Sequence, residues 1–231
     1  MRRLIFTDVH ASLPALTAVL HDAGHWDEAL FLGDIVGFGP HPAECTALLR
    51  EINPLRILGN HDYDCCTKRP KSLKSLWDAW TYDRLSDDMR RWVLDCPGAR
   101  SLHFGDLRIF CSHRAPSAIG YLLPSVSAEK MAAAFGDTDA DLLLCGHYHH
   151  GIERVHEGKR YAAIRAVGQM RDGDPQAGYT IEEDGELTHH RVPYDIERVV
   201  YDLGAIGLEE AFRARWASFI RTAHDPEWSR I

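Results

Sequence analysis

Residues 4–10 read Leu-Ile-Phe-Thr-Asp-Val-His, an apolar run that ends in two side chains able to bind a metal ion. The run predicts a short buried strand over residues 4–7. Asp8 and His10 follow at once, so both side chains would lie just past the carboxyl end of that strand. In open α/β sheets this is the edge where ligands bind.

The first 60 residues continue the same alternation of strand and helix. Ser12 can cap a helix with Leu13, Leu16, Val19 and Leu20 on one face. A second helix is predicted over residues 42–52, and further strands over residues 29–32 and 55–58. This order predicts parallel strands joined by right-handed crossovers.

Residues 63–97 have a different pattern, which predicts a small helical cap inserted into the domain. Leu73, Leu76, Trp77 and Trp80 fall at the spacing of one helix face. Ser86 can cap a second short helix over residues 87–94, and Pro97-Gly98 closes the segment.

From residue 100 onward strands predominate, with a helix at 127–135 and a helical tail around 208–222. Gly105-Asp106, Glu157-Gly158 and Asp184-Gly185 mark turns between several of them. The predicted strands cover residues 101–104, 107–111, 141–145, 151–156, 160–167, 178–182 and 187–193. We therefore expect an α/β fold of two sheets packed face to face with helices outside. One domain would span residues 1–231, with the cap at 63–97 and the tail at 194–231.

Composition narrows the function classes. The 231 residues carry a net charge of −8, which argues against an extended nucleic-acid surface but not against a small nucleotide. No apolar run approaches a membrane span and no secretory signal is visible, so a cytoplasmic protein is expected. The six cysteines lack CxxC spacing, which predicts reduced thiols. The sequence leaves open whether the chain forms a homo-oligomer.

Potential metal ligands follow five predicted strands. Because the carboxyl ends of the strands form one crevice, they should converge there. Glycines precede three of these residues and are expected to allow tight turns. The candidate ligands are Asp8, His10, Asp34, Asn60, His113, His147 and His149.

These residue types indicate hydrolytic chemistry at metal ions. Carboxylate, imidazole and amide ligands suit Mn, Fe, Zn or Ni rather than a thiolate site, and manganese is our first expectation. A carboxylate can bridge two ions about 3.5–4 Å apart, which polarise a phosphoryl group and turn a shared water into metal-bound hydroxide. A nearby histidine could protonate the leaving oxygen.

The ordered motifs Asp-x-His, Gly-Asp, Gly-Asn-His-Asp, His and Gly-His-x-His resemble the calcineurin-like metallophosphoesterase superfamily. They cover residues 8–149. Residues 33–42, 80–86 and 167–175 are similar to a small bacterial and archaeal phosphodiesterase-like branch. The resemblance therefore reaches about residue 193, and it implies a four-layer αββα sandwich of two mixed sheets.

The resemblance also implies roles for single residues. One metal would be held by Asp8, His10 and His149, and the other by Asn60, His113 and His147. Asp34 would bridge them. His61 would act above the phosphate as a general acid or as a stabiliser of the transition state.

Several positions depart from the family pattern. Ala11-Ser12 stands where relatives have Gly-Asn, and Gly37 and Phe38 replace the Asp and Arg of protein phosphatases. Arg114 and Arg165 replace glycines near the expected pocket. Both arginines could clamp an extra anionic group of the substrate. The alternative is that they pair with surface acids or partly block the pocket.

The leading hypothesis is thus a dinuclear-metal phosphodiesterase, a hydrolase acting on a small nucleotide-like phosphoester. A phosphomonoesterase of the same fold is the nearest alternative. A metal-binding interaction scaffold and a regulatory nucleotide-binding module remain open as non-catalytic alternatives. Dehydrogenases and P-loop enzymes are disfavoured because Gly-x-Gly-x-x-Gly and Gly-x-x-x-x-Gly-Lys-Ser/Thr are missing.

Overall fold

Two mixed sheets organise the chain, which a computed structural model describes for residues 1–67 and 74–224. The strands are β1 (Arg2–Phe6), β2 (Glu28–Phe31), β3 (Leu55–Arg56), β4 (Ala99–Phe104), β5 (Leu107–Ser112), β6 (Leu142–Cys145), β7 (Ile152–His156), β8 (Lys159–Ala163), β9 (Ala177–Glu183) and β10 (Glu186–Val192). The helices are α1 (Leu13–Ala23), α2 (Pro42–Ile52), α3 (Asn60–Thr67), α4 (Lys74–Arg84), α5 (Asp87–Leu94), α6 (Ala128–Phe135), α7 (Ile196–Asp202) and α8 (Glu210–Thr222), with a 3₁₀ turn at Leu203–Ile206.

In the described residues each sheet has five strands. The first has the order β10-β9-β1-β2-β3, in which β1, β2 and β3 are parallel, as predicted. The second has the order β4-β5-β6-β8-β7, with β5, β6 and β8 parallel. The expected α/β class with two mixed sheets flanked by helices is confirmed.

Side-chain alternation along β1 explains the layers. Leu4 and Phe6 pack into a core shared with α1 and α2, whereas Ile5 points to the opposite face. There Ile5 joins Leu142 and Leu144 of β6 in a core between the two sheets. The other face of the second sheet packs on α6. Strands buried on both faces read as continuous apolar runs, which is why residues 4–6 of β1 and all of β6 are apolar.

The predicted hairpin turns are confirmed. Gly105 lies between the antiparallel strands β4 and β5, and Glu157-Gly158 joins β7 to β8. Asp184 and Gly185, between β9 and β10, both have positive φ, at 53° and 87°. Two successive residues of this conformation match the twist of a tight hairpin.

Other predicted elements need correction. The strand predicted over 160–167 ends at Ala163, because the chain then crosses between the sheets: Ile164 N–H donates to Cys145, and Val167 N–H donates to Thr7. The strand predicted over 55–58 ends at Arg56, and Leu58 N–H instead donates to Pro97 beside the cap.

Some helical predictions also change. Ser12 precedes α1, but its hydroxyl makes no capping bond, partly because Pro14 supplies no N–H at the second position. Ser86 does cap α5. Helix α3 was not anticipated from the sequence, whereas α7 lies within the helical tail predicted over residues 194–231. Leu73 of the predicted cap stripe and residues 225–231 of the predicted tail lie outside the described residues.

The cap and the C-terminal helices share a fourth apolar cluster. Trp77 of α4 packs with Trp216 and Phe219 of α8, and with Leu203. The six cysteines are free thiols and five of them are buried, as expected. In the described part of the chain, no helix is long and apolar enough to cross a membrane.

Candidate metal centre

The ends of five strands bring the predicted ligands together, as their positions in the sequence suggested. Asp8 and His10 follow β1, Asp34 follows β2, and Asn60 opens α3 directly after β3. His113 follows β5, while His147 and His149 follow β6. All are buried or partly buried except Asn60, which faces the opening.

One group of ligand atoms is formed by Asp8, His10 and His149. Asp8 Oδ1 lies 3.3 Å from His149 Nε2 and 3.7 Å from His10 Nε2. The two Nε2 atoms are 3.3 Å apart. These three atoms therefore surround one point, at spacings suitable for a single cation.

A second group lies beside the first. Asp34 Oδ2 is 3.2 Å from His113 Nε2 and 3.8 Å from His10 Nε2, so this carboxylate faces both groups. Asn60 Oδ1 is 3.1 Å from His113 Nε2 and 3.0 Å from His147 Nδ1. The Asp34 carboxylate thus stands between two sets of oxygen and nitrogen ligands.

Two buried carboxylate oxygens make the strongest case that these residues fit metal ions. Asp8 Oδ2 accepts from Thr7 Oγ1 and from the His147 N–H, and Asp34 Oδ1 accepts from the His61 N–H. Asp8 Oδ1 and Asp34 Oδ2 receive no hydrogen bond from the described chain. A buried anionic oxygen without a donor is costly, and a cation would offset that cost.

Backbone carbonyls orient three of the imidazoles. The Nδ1 atoms of His10, His113 and His149 donate to the carbonyl oxygens of Val36, Leu32 and Gln169, respectively. Protonation at Nδ1 leaves the Nε2 lone pair of each ring directed into the cluster. Such an outer hydrogen bond is typical of metal-binding histidines, because it fixes the tautomer.

Protonation preferences differ among the rings. Burial holds the pKa of His10 and His149 well below the ordinary value, and it lowers that of His147 to about 4. Burial would also lower the pKa of His113, but the Asp34 and Asp8 carboxylates and the Leu32 carbonyl together outweigh burial and raise it to about 10. Metal binding at His113 would therefore displace a proton.

The backbone is strained at this edge of the sheets. Asp8, His10, Asp34, His147 and His149 all have positive φ between 47° and 68°, which is uncommon for residues other than glycine. Such conformations cluster at functional sites, where the surrounding fold imposes them.

The expected role of the glycines needs correction. Of those before Asp34, Asn60 and His147, only Gly33 has a positive φ. A Cβ at Gly59 would collide with the carboxylate and backbone nitrogen of Asp34. Gly59 is therefore required for close approach of the chain rather than for a left-handed turn.

Asp62 is a site residue whose role the sequence did not indicate. Its carboxylate accepts hydrogen bonds from the backbone N–H groups of Asp34, Ile35, Val36 and Gly59, at 2.8–3.2 Å. It joins the loops after β2 and β3 and so sets the position of Asp34. The sequence signal that could have identified Asp62 is its position as the last residue of the Gly-Asn-His-Asp motif.

His61 lies at the rim of the cluster and is partly exposed. Its ring centroid is 5.2 Å from that of His10 and 4.5 Å from that of Phe38, both in edge-to-face contact. Phe38 stands where protein phosphatases have an arginine, and it packs against the histidine instead.

The two candidate arginines have different surroundings. Arg165 is buried and forms a bidentate ion pair with Asp172, and it also donates to the carbonyls of Asp174 and Gln176. Arg165 therefore binds within its own loop. Arg114 is exposed and donates to the Ala118 carbonyl.

The sequence of residues 1–151 matches the calcineurin-like phosphoesterase family, and the chain belongs to that family. An uncharacterised protein of Methanocaldococcus jannaschii is 30% identical over 220 residues, covering 84% of this chain and 88% of that protein. A metallophosphoesterase from Sphaerobacter thermophilus has a similar structure, with a TM-score of 0.80, 33% identity, and coverage of 94% and 99%.

A hypothetical protein of Pyrococcus horikoshii shares the fold at 16% identity, with a TM-score of 0.84 over 97% of this chain and 99% of that chain. The high coverage includes the cap and the C-terminal helices. Hydrolysis of phosphoester bonds at a metal site is the activity that the family supports.

Proposed function

We propose that this protein is a phosphodiesterase that uses a dinuclear metal centre on a small nucleotide-like substrate. Asp34 Oδ2 carries the proposal, because this oxygen accepts no hydrogen bond from the described chain and faces His10 in one ligand group and His113 in the other. Asp34 would bridge the ions. Asp8, His10 and His149 would complete one coordination sphere, and Asn60, His113 and His147 the other.

Two divalent ions would polarise the phosphoryl oxygens and lower the pKa of the attacking water. The chain itself supplies orientation. The His61 N–H holds Asp34 Oδ1, so the opposite oxygen is presented to the cluster. The outer carbonyl contacts fix the orientation of three imidazoles and aim their Nε2 atoms inward.

His61 is the proposed general acid. It is partly exposed beside the cluster, and the rings of His10 and Phe38 restrict its orientation. A proton on its ring could pass to the leaving oxygen as the ester bond breaks. General acid catalysis of this kind contributes about 10²–10⁴ in rate.

Manganese is the first metal to test, with iron, zinc and nickel as alternatives, because all suit oxygen and imidazole ligands. Protein stripped with chelator would receive single metals. Hydrolysis of bis-p-nitrophenyl phosphate would then be compared with that of p-nitrophenyl phosphate. We expect metal-dependent turnover of the diester, which Asp34→Asn abolishes. His61→Ala should lower it by much less than the roughly 10²–10⁴ of full general acid catalysis, because p-nitrophenolate leaves with little protonation.

The exposed Asp137 provides a matched control, and Asp137→Asn should turn over the diester like the unmodified protein. Preference for the monoester would move the assignment to phosphomonoesterase. Absence of turnover with every metal, despite stoichiometric binding, would favour a non-catalytic scaffold.

A further inference from the structure

Arg171 is a cationic side chain next to the metal centre that the proposed reaction does not use. Its Nε and Nη2 atoms both donate to Oε1 of Gln169, at 3.3 and 2.8 Å. The carbonyl oxygen of the same Gln169 accepts from Nδ1 of His149. A single residue therefore fixes the guanidinium and a candidate metal ligand relative to each other.

Tyr121 supports the guanidinium from another side. Arg171 Cζ lies 5.5 Å from the Tyr121 ring centroid, within the range of a cation–π contact. The same ring is 6.0 Å from that of His147, and its hydroxyl donates to the Tyr148 carbonyl. Tyr121 thus contacts both Arg171 and His147, one of the ligands that follow β6.

The charge of Arg171 is not neutralised by the described chain, in which no carboxylate forms an ion pair with it. The acids that follow it are paired elsewhere: Asp172 binds Arg165, and Asp174 binds Arg191. Nη1 of Arg171 donates to no described atom. Gln169 is 2% exposed and its amide nitrogen also lacks an acceptor in the described residues.

Arg171 is linked to the metal centre through one residue, since Gln169 accepts from the guanidinium with its side chain and from His149 with its backbone carbonyl. The Arg171 side chain is partly exposed, so a ligand in the cleft could reach its free edge.

We propose that Arg171 binds a second anionic group of the substrate, beyond the phosphoryl group held at the metals. This proposal rests on the proposed phosphoesterase function and names the substrate class: small phosphoesters that carry a further phosphate or carboxylate. An arginine with one edge anchored and the other free can bind such an oxyanion with charge-assisted hydrogen bonds. Arg165 is less suited to this role, because it is buried and four of its five N–H groups already donate within its own loop.

A pair of substrates that differ by one anion tests this directly. The p-nitrophenyl ester of thymidine 5′-phosphate would be compared with the same ester carrying an additional 3′-phosphate, using manganese-loaded protein. We expect kcat/KM to be about tenfold higher for the doubly anionic ester. Arg171→Ala should remove that preference, and Gln169→Leu, which frees the guanidinium, should reduce it. Arg221→Ala is the matched control, since Arg221 pairs with Glu197 on the exposed face of α8.

Either of two results would overturn the proposal: equal losses on both esters in Arg171→Ala, or a preference that survives the substitution. If the unmodified protein hydrolyses neither ester, the proposed phosphodiesterase function is contradicted. The anion subsite is then tested separately by calorimetric measurement of ligand binding. Thymidine 3′,5′-bisphosphate should bind about tenfold more tightly than thymidine 5′-phosphate, and Arg171→Ala should abolish the difference. Equal affinities in the unmodified protein would contradict an anion subsite.

Discussion

Among single residues, Asp62 is fully buried and its carboxylate faces four backbone N–H groups of two loops. Both of its oxygens accept hydrogen bonds from these donors, so Asp62 links the loops that carry Asp34 and Asn60. Hydrogen bonds to a charged group contribute more than neutral ones. The position of Asp34 therefore depends on an acid that contacts no metal in the proposed arrangement.

Asp62→Asn replaces one carboxylate oxygen, an acceptor, by an amide NH₂ group, which is a donor. Its N–H groups would face backbone N–H donors, which then lose their acceptor. Buried donors left unpaired cost about 1–3 kcal/mol each, so we expect the free energy of unfolding to fall by about 3 kcal/mol. Urea unfolding of the metal-free protein measures it. Asp137→Asn, on the surface, should change stability by less than about 0.5 kcal/mol. An unchanged free energy of unfolding in Asp62→Asn would show that these hydrogen bonds do not stabilise the fold.

How far single residues could be predicted depends on what fixes their positions. The candidate ligands could be predicted because strand ends place them, and strand ends are visible as apolar runs. The pairing of Arg165 with Asp172 could not, since it depends on a tight loop that brings residues seven positions apart together. Gln169 contributes through its backbone carbonyl, which has no signature in side-chain chemistry.

Among elements, the C-terminal helix α8 reaches the metal centre through one aromatic side chain. The ring of Phe38 lies 4.5 Å from His61, 5.1 Å from Trp77 of α4 and 5.2 Å from Trp216 of α8. Its φ of 66° is rare for a bulky residue, so the surrounding fold holds it there. Helices outside residues 1–151 thus help to set the orientation of His61.

Phe38→Leu should misplace His61 and so weaken protonation of the leaving group. We expect kcat to fall about ten- to a hundredfold for an ester with a poor leaving group, and less for a p-nitrophenyl ester, which needs little protonation. His61→Ala should show the same dependence on leaving group. Phe135→Leu, in the core under the second sheet, is the matched control without that dependence. A uniform loss on all esters in Phe38→Leu would contradict the positioning role.

Element types were more predictable than their limits. The apolar runs of β1 and β6 and the turn residues of the hairpins determine local structure directly. Helix α3 was not predicted, because it begins with Asn-His-Asp and has no apolar stripe. The end of β8 was not predicted, because Ile164 and Val167 continue its apolar pattern although the chain passes there from one sheet to the other.

For the whole molecule, the metal centre lies where both sheets present their strand ends. Its two carboxylates and the imidazoles of His10, His113 and His149 are buried at 0–4% exposure, and two anionic oxygens lack donors in the described chain. Ions that bind only the folded state should stabilise it by mass action, by about 2.7 kcal/mol at a hundred times Kd. For a chain of this size that corresponds to a rise in Tm of about 5–10 °C.

Differential scanning calorimetry of stripped protein with and without manganese checks this shift in Tm. Asp34→Asn should show a smaller shift, because it weakens the bridge between the two ligand groups. An unchanged Tm of the unmodified protein at saturating manganese would mean that the cluster does not bind the ion in the folded state.

The two-sheet architecture could be predicted from the order of strand and helix patterns, since βαβ units form parallel sheets. The strand pairing across the chain could not. β9 pairs with β1 although about 170 residues separate them, and this contact depends on the crossing after β8 rather than on any local pattern.

Crystals of the manganese-loaded protein, measured at the manganese absorption edge, test the central claim most directly. The account predicts two anomalous peaks about 3.5–4 Å apart, on either side of Asp34 Oδ2. One peak should be bounded by Asp8, His10 and His149, and the other by Asn60, His113 and His147. A single peak, or peaks that do not share Asp34, would contradict a dinuclear centre.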